Sequence, residues 1–191
     1  MKTSSKVWIG VGVVALLFVF WVIGGYNSLV SSEAEYQGAW SIVESQYQRQ
    51  ADLIPNLVSV TASSVKAETT FVKDVVAART AWTSASTLAQ KDIAGQQMVQ
   101  GVSAFVNAVA EQYPQFKANT QYVALTDELS GTQNRITTAR NEYITAVKSF
   151  NVRVKRFPTN VLAGMFGFEV QAYYTSDSGT TTPSLGAGIL P

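Results

Sequence analysis

The chain contains no cysteine and no histidine. Without cysteine there is no disulfide framework, zinc ribbon, thiol nucleophile or lipid-modified cysteine anchor. Without histidine the commonest general base and the commonest transition-metal ligand are gone. Ser–His–Asp, Cys–His and His-ligated zinc mechanisms are therefore excluded, leaving carboxylate, Lys, Tyr or Ser–Lys chemistry. Charge is also scarce and balanced, 14 Lys and Arg against 13 Asp and Glu. A nucleic-acid binder needs a basic stripe to neutralise phosphates. The one basic cluster is Arg153, Lys155 and Arg156, so nucleic acid is not an expected partner. Proline and glycine are sparse between Tyr26 and Phe157, where Pro55 and Pro114 are the only prolines. No stretch alternates polar and apolar residues between turn signals, which argues against strands.

What the sequence does have is one long apolar run. Val7 to Ile23 reads VWIGVGVVALLFVFWVI, with no charge or strongly polar side chain. Extended through Gly24 and Gly25, it is long enough to cross a hydrocarbon core of ~30 Å. Trp8 and Trp21, with Tyr26 just beyond, stand where interfacial aromatics gather, and Val7, Phe18, Phe20 and Ile23 complete the apolar surface. The rival reading is a cleaved signal peptide, since Lys2 and Lys6 form a plausible basic start. The run is longer than a typical signal core of about 7–15 residues, and no small-x-small cleavage site follows. An uncleaved transmembrane helix over 7–25 is expected, after a short basic N-terminus at 1–6. The flanks are basic before the span and acidic after it (Glu33, Glu35, Glu44). The positive-inside rule then puts the N-terminus in the cytoplasm and the remainder on the far side of the cell membrane.

Beyond the span the apolar spacing is helical. Leu29, Tyr36, Trp40, Val43, Tyr47 and Ile54 form one stripe, with Glu33 and Gln50 as its polar members, and Leu57, Val60, Ser64, Ala67, Phe71, Val75, Ala78 and Trp82 a second. Met98, Val102, Phe105, Val109 and Tyr113 form a third. Tyr122, Leu125, Leu129, Thr132, Ile136, Ala139, Tyr143, Ala146 and Phe150 keep heptad spacing in a fourth, in the manner of a coiled coil. The pattern predicts an all-α chain: a transmembrane helix, then an up-and-down four-helix bundle over 26–157. Asp52, Pro55 and Asn56 read as a helix cap and turn, with Asp52 capping a second helix and Pro55 in its first turn. The alternative is one long helix kinked at Pro55. Thr83–Ser86 and Pro114–Asn119 supply the later turns. After Phe157 and Pro158, an apolar, glycine-spaced segment at 158–174 is too short to span a membrane. A Ser/Thr/Gly/Pro tail at 175–191 has too few apolar residues to order itself.

The order of motifs is itself informative. After the span come Tyr26-Asn27-Ser28-Leu29-Val30, Trp40, and Arg49-Gln50-Ala51-Asp52-Leu53-Ile54-Pro55-Asn56-Leu57-Val58. Ala78-Arg79, Asn134-Arg135-Ile136, Ala139-Arg140, Tyr143, Phe157-Pro158 and Ala163-Gly164-Met165-Phe166-Gly167-Phe168 follow. Over about residues 1–174 this closely resembles the bacterial LemA family. The resemblance implies an N-terminal anchor, an up-and-down helical bundle and no established enzymatic activity or cofactor. It also implies a short N-terminus outside the cell, opposite to the charge rule.

Candidate sites follow from the remaining residues. Asp127, Glu128 and Glu142 are the nearest thing to a carboxylate cluster, but a bundle metal site normally pairs Glu with Glu-x-x-His. They are expected to be solvated, with no metal or catalytic residue. Arg79, Arg135 and Arg140 lie near apolar positions and call for acidic partners on facing helices. Phe157, Pro158, Met165, Phe166 and Phe168, behind the basic Arg153, Lys155 and Arg156, are candidates for contact with the membrane interface or a partner protein. The expected role is a non-enzymatic membrane-anchored scaffold or adaptor whose partners are the bilayer, a second copy or another membrane protein. The alternatives are a carboxylate- or metal-dependent enzyme, or a sensor of membrane state or a small ligand.

Overall fold

Helix α1 runs without interruption from Lys2 to Thr61. The computed structural model describes residues 2–66 and 69–172, with side chains from Val7 onward. The expected tail at 175–191, Ala67 in the second stripe, and Tyr173 and Tyr174 lie outside those residues. After α1 come α2 (Thr70–Ser84), α3 (Leu88–Gln112), a 3-10 turn (Pro114–Ala118), α4 (Thr120–Lys155) and α5 (Thr159–Phe166). There is no strand among the described residues. The chain is all-α, an apolar N-terminal helix followed by an up-and-down four-helix bundle, with α1 supplying both the apolar helix and the first bundle member.

Two compact units are formed, one from residues 39–142 and the other from residues 2–38 with 143–172. The first contains the bundle. Tyr47 of α1 lies beside Trp82 of α2, with ring centroids 6.5 Å apart. Phe71 of α2 meets Phe105 of α3 edge-on at 5.5 Å. The Tyr122 hydroxyl of α4 donates to Val106 O of α3 at 3.2 Å. Successive helices are thus antiparallel. Their facing stripes bury Val43, Tyr47, Ile54, Leu57, Val75, Trp82, Met98, Val102, Phe105, Val109, Leu129 and Ile136. These are the spacing-predicted positions, because a 3–4 apolar repeat can be hidden on one helix face only by a facing helix.

The connections explain where helices stop. Thr87 and Gln90 form a capping box at the start of α3: Thr87 Oγ1 accepts from Gln90 N at 3.2 Å, and Gln90 Oε1 from Thr87 N at 3.4 Å. Asn119 Oδ1 accepts from Tyr122 N at 3.0 Å and satisfies a free donor at the start of α4.

Two expectations are corrected. The second stripe is not one helix: Leu57 and Val60 belong to α1, Ser64 is exposed in the connection, and only Phe71 to Trp82 lie on α2. Asp52, Pro55 and Asn56 are neither cap nor turn; they are exposed residues inside α1. The Asp52 carboxylate accepts from Gln48 Nε2 one turn earlier, at 2.7 Å, instead of capping. Pro55 has no N–H, so Ala51 O loses its helical donor. Arg79 Nε of α2 donates to that carbonyl at 2.9 Å. The helix continues because a neighbouring helix satisfies the group that proline orphans, and α1 ends at Thr61. There the hydroxyl bonds Leu57 O and Val58 O, and Val65 N returns to Thr61 O at 2.9 Å.

Candidate membrane interface

Two places in the molecule concentrate chemistry. The first, in the bundle, is a buried charge pair. Arg140 of α4 donates to Asp92 Oδ1 of α3 at 2.5 Å and to the Tyr47 hydroxyl of α1 at 2.8 Å. Gln96 Nε2 donates to Asp92 Oδ2 at 2.9 Å. Burial pushes the Asp92 carboxyl above the usual carboxylate range, with Arg140 opposing the rise. Burial likewise pushes the Tyr47 hydroxyl up to about 12, again against the pull of Arg140. Tyr47 lies flat on α3 where Gly95 leaves room: a Cβ at Gly95 would come within 2.6 Å of its ring. Alongside, Lys91 sits 4.4 Å from the Trp82 ring centroid and 2.9 Å from Glu44. Three helices are thus fastened together by groups that hold one another.

The acidic residues do not gather. Glu128 pairs with Arg49 across α1 and α4 at 2.8 Å, and both are substantially exposed. Glu142 and Arg135 line a shallow surface groove with Ile42, Gln46 and Asn134. Among the described residues no three Asp or Glu side chains converge as metal ligands would. Of the three arginines expected to meet acids, only Arg140 is seen paired with one; Arg79 bonds a carbonyl and Arg135 is exposed.

Gln50, a polar member of the α1 stripe, lies on the buried face that its spacing predicts. It is fully buried, and neither its amide nitrogen nor its oxygen finds a protein partner. An unpaired buried amide costs about 1–3 kcal/mol. Gln50→Met keeps the volume and removes the polar atoms, so it is expected to raise stability by about 1–2 kcal/mol. Chemical denaturation in detergent checks this; a loss of stability would show that the carboxamide is hydrogen-bonded after all.

The second place is the unit made from residues 2–38 and 143–172, where the sequence-predicted membrane residues lie. Val7, Trp8, Phe18, Phe20, Trp21 and Ile23 all sit on α1 with their side chains exposed, and no residue of the most apolar 18-residue window is buried in protein. At the end of this apolar stretch α5 folds back on α1. Leu162 and Ala163 are buried against Leu29, with Val22, Val154 and Phe168 packed around them. Gly25 is the hole that receives Leu162; a Cβ there would collide with Leu162 Cδ1. The Tyr26 ring meets Phe166 at 4.8 Å and Phe168 at 6.0 Å.

Both ends of α5 are held. It ends at Gly167, whose φ of 77° is left-handed and suits glycine, while Phe168 N donates to Ala163 O at 2.9 Å. The chain beyond is pinned to α4: Asn151 Oδ1 accepts from Gln171 N, and Asn151 Nδ2 donates to Gln171 O, both at 2.8 Å. Arg153 is bonded to Ser28 Oγ. Pro158 stands at the start of α5 and is partly buried. With one face of α5 buried, the rest is left apolar and open: Phe157 is 78% exposed, Met165 73% and Phe166 48%. Lys155 and Arg156 are exposed immediately before them.

An uncovered apolar helix of this length supports a membrane location. The chain is similar to magnetosome protein MamQ 2 of Paramagnetospirillum magneticum, 27% identical over 203 residues, covering 91% of this chain and 75% of the relative. It is also similar to magnetosome protein MamQ of Magnetospirillum gryphiswaldense, 24% identical over the same shares of both chains. Protein LemA of Metamycoplasma hominis is 21% identical over 147 residues, 77% of this chain and 67% of that one. The LemA family model matches residues 39–185, which takes in α2 to α5 and α1 from residue 39 on. The chain belongs to the LemA family.

Proposed function

We propose that this protein is a non-enzymatic, membrane-tethered helical scaffold or adaptor, held at the bilayer twice: by the apolar part of α1 and by α5 lying in the lipid interface. The observation that carries this reading is the packing of α5 at the end of the apolar stretch. Leu162 fills the notch at Gly25, so the exposed apolar face of α5 is held at the level where α1 leaves the hydrocarbon. A short amphipathic element of this kind gains its apolar burial from acyl chains. The bundle's buried polar groups serve to fix its packing, which suits a docking platform for a second copy or another membrane protein. The flank charges Lys2 and Lys6 against Glu33, Glu35 and Glu44 favour a bundle on the non-cytoplasmic side.

The absence of native cysteine makes the test clean. A spin label on Met165→Cys in the full chain, reconstituted in vesicles, is expected to be shielded from an aqueous relaxant and reached by oxygen dissolved in the bilayer. A label on Glu111→Cys, at the exposed end of α3, is expected to behave as water-exposed. Equal access of the aqueous relaxant to both would sink the interfacial reading. Labelling Glu111→Cys in intact cells with an impermeant maleimide reports the side; protection there would reverse the orientation.

A further inference from the structure

The end of α4 carries more positive charge than its helix requires. Cations in a last turn offset the helix dipole, and Arg153 in addition ties α4 to Ser28 of α1. Lys155 and Arg156 make no such tie; both are exposed, and among the described residues neither is in an ion pair. Lys155 and Arg156 are followed at once by the most exposed aromatic of this unit, Phe157, and then by the open apolar face of α5.

We propose that Lys155 and Arg156 bind the headgroup phosphates of anionic phospholipids, so that the α4–α5 corner selects acidic lipid as α5 enters the interface. This rests on the interfacial reading of α5 given above. The height of the corner is set by contacts within one unit: Arg153 on Ser28, Leu162 on Gly25 and Phe166 on Tyr26. Two solvent-exposed cations therefore sit at headgroup depth, with Phe157, Met165 and Phe166 beside them to enter the acyl region. A basic pair beside inserted apolar groups matches phospholipid of net negative charge, whereas a zwitterionic headgroup supplies its own cation.

The test uses the full chain in phosphatidylcholine vesicles containing phosphatidylglycerol, with spin-labelled phosphatidylglycerol or phosphatidylcholine as the probe. The protein is expected to enrich phosphatidylglycerol several-fold in its lipid shell, and the enrichment is expected to fall by up to about fivefold for each cation removed in Lys155→Gln and Arg156→Gln. Salt should weaken it in the wild-type chain and leave the double variant unchanged. Both positions are exposed, and unchanged helicity verifies that the variants fold. No enrichment, or equal enrichment in the double variant, overturns the proposal; so does displacement of the labelled lipid by millimolar inorganic phosphate, which would mark a soluble-anion site. The Met165→Cys depth measurement separates the failures. A shielded label with no lipid preference removes lipid selection alone, whereas an exposed label removes the interfacial reading beneath it.

Discussion

Asp92→Ala is expected to destabilise the bundle by about 3–5 kcal/mol, because it leaves the Arg140 guanidinium buried without its carboxylate. The side chains are 12% exposed at Arg140 and 3% at Asp92, so water cannot take the place of the missing partner. Tyr47 remains as an acceptor for Arg140, but a neutral hydroxyl does not offset a full charge. Replacing both ions is expected to cost far less: Asp92→Leu with Arg140→Met should lie within about 1–2 kcal/mol of the wild type, since buried pairs contribute little net stability over well-packed apolar side chains. Urea denaturation of the full chain in mild detergent, followed by far-UV circular dichroism, measures both. A single variant losing under about 1 kcal/mol would mean that the pair is solvated and the argument fails.

The same pair shows what the sequence makes legible. The apolar grid on α4 from Tyr122 to Phe150 is read correctly almost residue by residue, because a repeating spacing commits one helix face to the interior whatever lies opposite. Arg140 next to that grid could be read as needing an acid, and it has one. What no spacing could supply is its identity: Asp92 is 48 positions away, and its approach depends on Tyr47 lying on the surface that Gly95 opens. Gln50 falls on the α1 stripe and is buried as that spacing requires; that its amide is left without a protein partner could not be read from the spacing. The α5 segment could be read as apolar from its composition. Its docking at Gly25 could not, since Gly24 and Gly25 look alike in sequence and only one of them receives Leu162.

Asp52 and Pro55 are a place where local rules pointed the wrong way, and the reason makes a prediction. Proline in a helix interior costs about 3 kcal/mol, partly through the carbonyl it leaves without a donor. Here that carbonyl belongs to Ala51, which is fully buried, and Arg79 supplies the donor from another helix. Local preference lost to a tertiary hydrogen bond that is invisible in the pattern of α1. Arg79→Met, which keeps the apolar stem and removes the donor, is therefore expected to cost about 2–3 kcal/mol, the value of a charge-assisted bond to a carbonyl with no replacement. In a Pro55→Ala background the new N–H returns to Ala51 O, and the same Arg79→Met change should cost under about 1 kcal/mol. The double-mutant cycle should thus show a coupling of about 1–2 kcal/mol between two residues whose side chains need never touch. Equal costs of Arg79→Met in both backgrounds would mean that Arg79 holds α2 to α1 by packing alone, leaving the continuity of α1 through Pro55 without this explanation.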